Sequence, residues 1–156
     1  MLKSLSKFFL SKPKQAGGAG GFMPWSNRFR VGVRAIDNDH RQLFGIVNSF
    51  HESFQRKQSP ATIASTFVAL EKYVEEHFSR EEGYMESANY PELGVHKLEH
   101  EDLLEALSEH KRKYQMSPAN FDHAAFLAFL KKWLTEHILT EDRRYVPYVR
   151  GEKEGP

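Results

Sequence analysis

The stretch VEEHFSREEGYM, residues 74–85, puts a histidine and a glutamate where a helical reading expects buried apolar side chains. On a 3.6-residue period, Phe67, Leu70 and Val74 lead into His77, Glu81 and Met85 along one stripe. His77 and Glu81 are four residues apart, so they stand one turn from each other on that face. Such a pair alone is ordinary helix-surface chemistry. Its meaning depends on what the other segments carry.

The same periodicity recurs on either side. A helix starting near Asp37, a good N-cap residue, carries His40, Leu43, Val47, Phe50 and Phe54 on one face. The tripeptide QSP (residues 58–60) ends it, and Ser59-Pro60 supplies a cap and first turn for the next helix. After the break SANYP (residues 87–91) a third helix presents Leu93, His96, His100, Leu103 and Leu107. MSPAN (residues 116–120) precedes a fourth, with Phe126, Leu130, Trp133, Leu134 and His137 inward. No stretch sustains a period of two. The expected fold is all-α, an antiparallel up-down four-helix bundle over residues 25–150 with an N-terminal extension over residues 1–24.

That extension begins MLKSLSKFFLSKPK (residues 1–14), in which Leu2, Leu5, Phe8 and Phe9 alternate with lysines, followed by the Gly-rich, flexible-linker sequence QAGGAGG. Its apolar run FFL is too short for a secretory signal, which leaves a frayed tail or a basic amphipathic contact with a membrane surface or a protein. A chain of 156 residues suits one domain. A net charge of +1 argues against a nucleic-acid footprint, and zero cysteines exclude disulfides and thiolate metal sites and suit a reducing cytoplasm. Any metal must be held by nitrogen and oxygen.

Five histidines (His40, His77, His96, His100, His137) and two carboxylates (Glu81, Asp142) are candidates to meet inside the bundle. Glu76, Glu82 and Glu86 fall off the stripe and read as solvated, and His51, His110 and His123 read as surface or boundary residues. Asp142 follows His137 by five residues, about 500° of a straight α-helix, so the two side chains share a target only through a distortion or by spanning two targets. A lone histidine on an apolar stripe is ordinarily a hydrogen-bonded core residue. Seven polar groups are another matter, since burying each unpaired costs about 2–7 kcal/mol in a domain stable by about 5–15 kcal/mol. They must compensate one another, through a pure hydrogen-bond network or, more directly, through a metal centre. Seven ligands exceed a four-coordinate zinc site, while two ions sharing bridging carboxylates use the whole set. Five imidazoles suit iron better than calcium or magnesium, and spacing alone leaves manganese, cobalt or a mixed pair open.

Trp25, IDNDH (36–40), HFSREEGYM (77–85), YPELGVHKLEH (90–100) and WLTEHILTED (133–142) together give H…HxxxE…HxxxH…HxxxxD in order. In this, residues 25–148 resemble a bacterial hemerythrin, a non-heme di-iron four-helix bundle. The resemblance implies two iron ions (Fe2+/Fe3+) with an oxo or hydroxo bridge. His96, His100 and His137 would bind one iron and His40 and His77 the other, with Glu81 and Asp142 bridging. Three histidines and three bridges fill six positions, whereas two histidines and three bridges leave one open for O2. Trp133, Leu134, Phe44 and Phe78 would line the gas pocket, though plain core packing suits Trp133 and Leu134 equally. Where the family usually has Gln, this chain has Asp39, which adds a negative charge beside His40.

The expected function is reversible O2 binding for storage, transport or delivery to an oxygen-consuming enzyme, with NO or small anions such as azide as further ligands. A sensor acting through a protein partner is an alternative, although no signalling domain adjoins the bundle. An iron-oxidase or peroxide-handling enzyme is the other. The histidine-rich donor set argues against an enzyme, because di-iron oxygen activators tend to be carboxylate-rich.

Overall fold

The structure is a computed structural model, described here for residues 21–156. The expected contact through residues 1–14 lies outside the described residues. Four long helical segments form the bundle: α1 (Arg34–Gln55), α2 (Pro60–Ser87), α3 (Leu93–Met116) and α4 (His123–Glu136). A π-helical turn, His137–Asp142, joins α4 to α5 (Arg143–Val149), so the last rod runs helically from residue 123 to 149. α2 packs against both α1 and α3, and α4 closes against α1. None of the described helices is long and apolar enough to cross a membrane.

Local chemistry accounts for most boundaries. The Ser59 side chain accepts from the Thr62 N–H, with Pro60 at the first helical position. Asp122 caps α4 in the same way through the Ala125 N–H. Asn89, at φ 50°, turns the chain out of α2 within the expected break. The start of α1 differs from expectation: it begins at Arg34, and Asp37 lies inside its first turn. The Asp37 carboxylate reaches back instead, accepting from the Val31 N–H at 2.7 Å and the Gly32 N–H at 3.2 Å. It therefore pins the preceding loop, where Gly32 takes φ 84°. A second clasp ties the approach to the bundle: Asn48 accepts from the Met23 N–H at 2.8 Å and donates to its carbonyl at 2.9 Å.

The interior is divided along its length. At one end Phe50, Phe67 and Phe126, from three helices, meet with ring centroids 4.8–5.3 Å apart, a dry aromatic plug. Toward the other end the same helices present histidines and carboxylates, all buried. That division positions the site.

Candidate metal centre

His40, His77, Glu81, His96, His100, His137 and Asp142 all lie in the bundle interior, none more than 5% exposed. Their donor atoms form two groups. In one, ligand atoms of Glu81, His96, His100 and His137 lie within 4.8 Å of one another, and in the other so do those of His40, His77 and Glu81. The carboxylates stand between the groups. Asp142 approaches His40 Nε2 with Oδ2 at 3.1 Å and His137 Nε2 with Oδ1 at 3.0 Å. Glu81 Oε2 lies 3.6 Å from His77 Nε2 and 3.3 Å from His100 Nε2.

The π-helical turn explains how Asp142 gets there. Its wider i→i+5 winding brings residue 142 back over residue 137, where an α-helix would carry it well around the rod. The five-residue offset is thus met by a local distortion, and by a carboxylate whose two oxygens address both groups.

These close approaches lack hydrogen-bond geometry. His40, Glu81, His96, His100, His137 and Asp142 each keep at least one buried nitrogen or oxygen with no hydrogen-bond partner. Buried polar atoms are ordinarily paired, so a concentration of orphaned lone pairs aimed at one point needs a further group to satisfy them. Imidazole nitrogens and carboxylate oxygens are donors suited to iron and unsuited to an apolar ligand. The residues fit a cation pair.

The electrostatics of the chain's own groups agree. Burial acts to raise the Asp142 carboxyl, but the imidazoles of His137 and His40 hold it well below the usual range. Glu81 is likewise lowered, with burial and Asp142 opposed by His77, His100 and His137. His137 is pushed up to about 9: burial acts to lower it, and Asp142 and Glu81 override that. His96 falls to about 4 through burial and the neighbouring His100.

Three further side chains hold the inner set, and none was named from sequence as doing so. Glu82, expected to be solvated, is half-buried, and its Oε1 lies 2.8 Å from His100 Nδ1. One residue past the inward stripe of α2 still reaches α3, because the helices pack closely there. The Asp39 carboxylate turns away from its sequence neighbour His40 to bind residues of α2. Its Oδ2 lies 3.2 Å from His77 Nδ1, across the α1–α2 interface, and Arg80 and Tyr73 also bind it. Tyr145 of α5 donates to Glu81 Oε1 at 2.6 Å. Its only signal in the sequence was its place three residues after Asp142, one turn on.

The four residues expected to line a gas pocket are all buried. Phe78 stacks on His100, centroids 3.7 Å apart and planes within 3°, and meets Trp133 edge-on at 6.2 Å. Phe44 packs against Trp25 and Phe29 at 5.1 and 4.7 Å. His51, His110 and His123 stay outside the centre, against Phe22, Phe129 and Phe54 respectively.

Comparison with known proteins converges with this geometry. Residues 31–149 match the family model described as the hemerythrin HHE cation binding domain. The bacteriohemerythrin of Clostridium acetobutylicum is 33% identical over 129 residues, 78% of this chain and 97% of the relative. The myohemerythrin of Theromyzon tessulatum is 31% identical, covering 78% of this chain and 88% of that one. A crystal structure of wild-type hemerythrin superposes with a TM-score of 0.74 at 28% identity, covering 82% of this chain and 98% of the other. The chain therefore belongs to the hemerythrin family, among its bacterial hemerythrins.

Proposed function

We propose that residues 25–150 bind O2 reversibly at a di-iron centre, for storage, transport or delivery to an oxygen-consuming enzyme. The observation that carries this reading is the pair of histidine groups with Glu81 and Asp142 set between them, their lone pairs unmet by the protein. In this reading His96, His100 and His137 would hold one iron, His40 and His77 would hold the other, and Glu81 and Asp142 would be shared between them. The two-histidine side offers one protein donor fewer, which leaves room there for a gas molecule. Two irons, when bound, supply the electrons that O2 draws on and returns.

The protein's own contribution is to orient and to exclude. Glu82 and Asp39 fix the ring planes of His100 and His77 from behind. Tyr145 holds one oxygen of Glu81 by donating its proton to it. Phe78, Trp133 and Leu134 keep water from the interior, which favours binding over irreversible oxidation.

Anaerobic reduction of the iron-loaded protein, followed by O2 titration read by visible absorption with iron counted per chain, tests the reading. About two irons and a band that disappears on degassing are expected, and His77→Leu or His100→Leu should abolish both. Zinc in place of iron, or colour unaffected by these substitutions, would end the proposal. Irreversible bleaching with turnover of a reductant would identify an enzyme instead.

A further inference from the structure

Asp39 is a carboxylate of α1, buried and 9% exposed at its side chain, and it is enclosed by three residues of α2. Tyr73, His77 and Arg80 are spaced four and three residues apart, so they line one face of that helix. Tyr73 donates to Asp39 Oδ1 at 3.2 Å, Arg80 Nη1 donates to Oδ2, and His77 Nδ1 lies 3.2 Å from the same Oδ2. With two donors already on it, the carboxylate stays charged, and the only role it leaves to His77 Nδ1 is donation. In its neutral form His77 therefore carries its proton on Nδ1, which leaves Nε2, 3.6 Å from Glu81 Oε2, as the nitrogen available to a cation.

The other histidine group has a carboxylate of a different kind. Glu82 meets His100 Nδ1 from a side chain 27% exposed, and it forms no other hydrogen bond or ion pair among the described residues. Asp39 is more deeply buried and is clamped by a cation. Arg80 is itself 43% exposed, so the clamp runs from His77 to the protein surface.

We propose that Asp39 is the positioning residue that makes His77 a strongly donating, fixed-tautomer ligand, and that Arg80 tempers it by partly neutralising its charge. The inference rests on the di-iron reading above. Through His77, the Asp39 charge would favour the oxidised state of an iron held on the two-histidine side, and Arg80 would oppose it. Asp39 and Arg80 then set how readily the centre is reduced, with opposite signs.

Stepwise anaerobic Fe(II) titration of metal-free protein against a chelator, with the reduction potential of the loaded protein, tests this. Asp39→Asn keeps an acceptor but removes the charge. The second iron equivalent should bind about 10–100-fold more weakly, with the first unchanged, and the potential should move up. Arg80→Gln should move the potential down. Opposite shifts are the signature, since loosened packing would move both variants the same way. The Arg80→Gln arm also stands alone if Asp39→Asn fails to fold. Shifts of the same sign, or an Asp39→Asn protein with wild-type affinity and potential, overturn the inference while leaving the di-iron reading intact. A wild-type chain that takes up no iron pair removes both.

Discussion

Tyr145 donates its phenolic proton to Glu81 Oε1 across 2.6 Å, joining α5 to the C-terminal part of α2 inside a fully buried volume. Burial, followed by the charge of Glu81, holds the phenol well above its usual range, so it remains a donor across the accessible pH scale. Tyr145→Phe keeps the ring and deletes the donor. A hydrogen bond to a buried charge contributes about 1.5–3 kcal/mol, and the metal-free variant should lose stability of that order in urea unfolding. A loss below a few tenths would mean that Glu81 finds another partner.

The metal-free chain should also lose stability as pH rises. His137 is held up to about 9 by Asp142 and Glu81 against the effect of burial. Its folded value exceeds the unfolded value of about 6.5, so this stabilisation is complete below that pH and disappears as pH passes through the folded value. His77, also raised, acts in the same sense. His96, lowered to about 4 by burial and His100, acts oppositely, but only below about 6.5. Denaturant midpoints of the metal-free protein should therefore fall between neutral pH and pH 9. Asp142→Asn should flatten the fall. Metal-loaded protein should not show it, because an imidazole nitrogen bound to a cation has no lone pair to titrate. A flat profile in the metal-free wild type would count against this balance of charges.

Leu134, 1% exposed and one turn before His137, tests the role of dryness. Leu134→Ala should cost about 2–5 kcal/mol by opening a cavity. If Leu134 also keeps water out, reversible O2 uptake should be lost in fewer cycles than in wild type. Leu134→Met, which conserves volume, should restore both properties. Equal cycling by the alanine variant would reduce Leu134 to a packing residue.

The clasp between Asn48 and Met23 predicts a local effect. Asn48→Ala leaves a buried N–H and a buried carbonyl of Met23 unpaired. Each such loss costs about 1–3 kcal/mol when the group stays buried. The expected result is faster amide exchange at Met23, with α2 and α3 unaffected. Unchanged exchange there would show that water replaces the side chain.

The helices and the inward donors are legible in the chain alone, because both are written in a local period. His77 and Glu81, or His96 and His100, declare a shared face by their spacing, and the apolar residues between them declare that the face is inward. What holds those donors depends on how the helices pack. The bonds from Asp39 to His77, Glu82 to His100 and Tyr145 to Glu81 span 38, 18 and 64 residues. Periodicity reports which side of a helix a residue occupies, but not which residue of a neighbouring helix stands opposite it. Asp39 therefore stands in the sequence beside His40, although its carboxylate crosses to α2. Glu82 projects toward solvent on α2 alone, and only the presence of α3 gives it His100 as a partner. The π-helical turn stands between these cases: the five-residue spacing pointed to a distortion or to two targets, and the structure has both, a π-helical turn and a carboxylate facing two histidine groups.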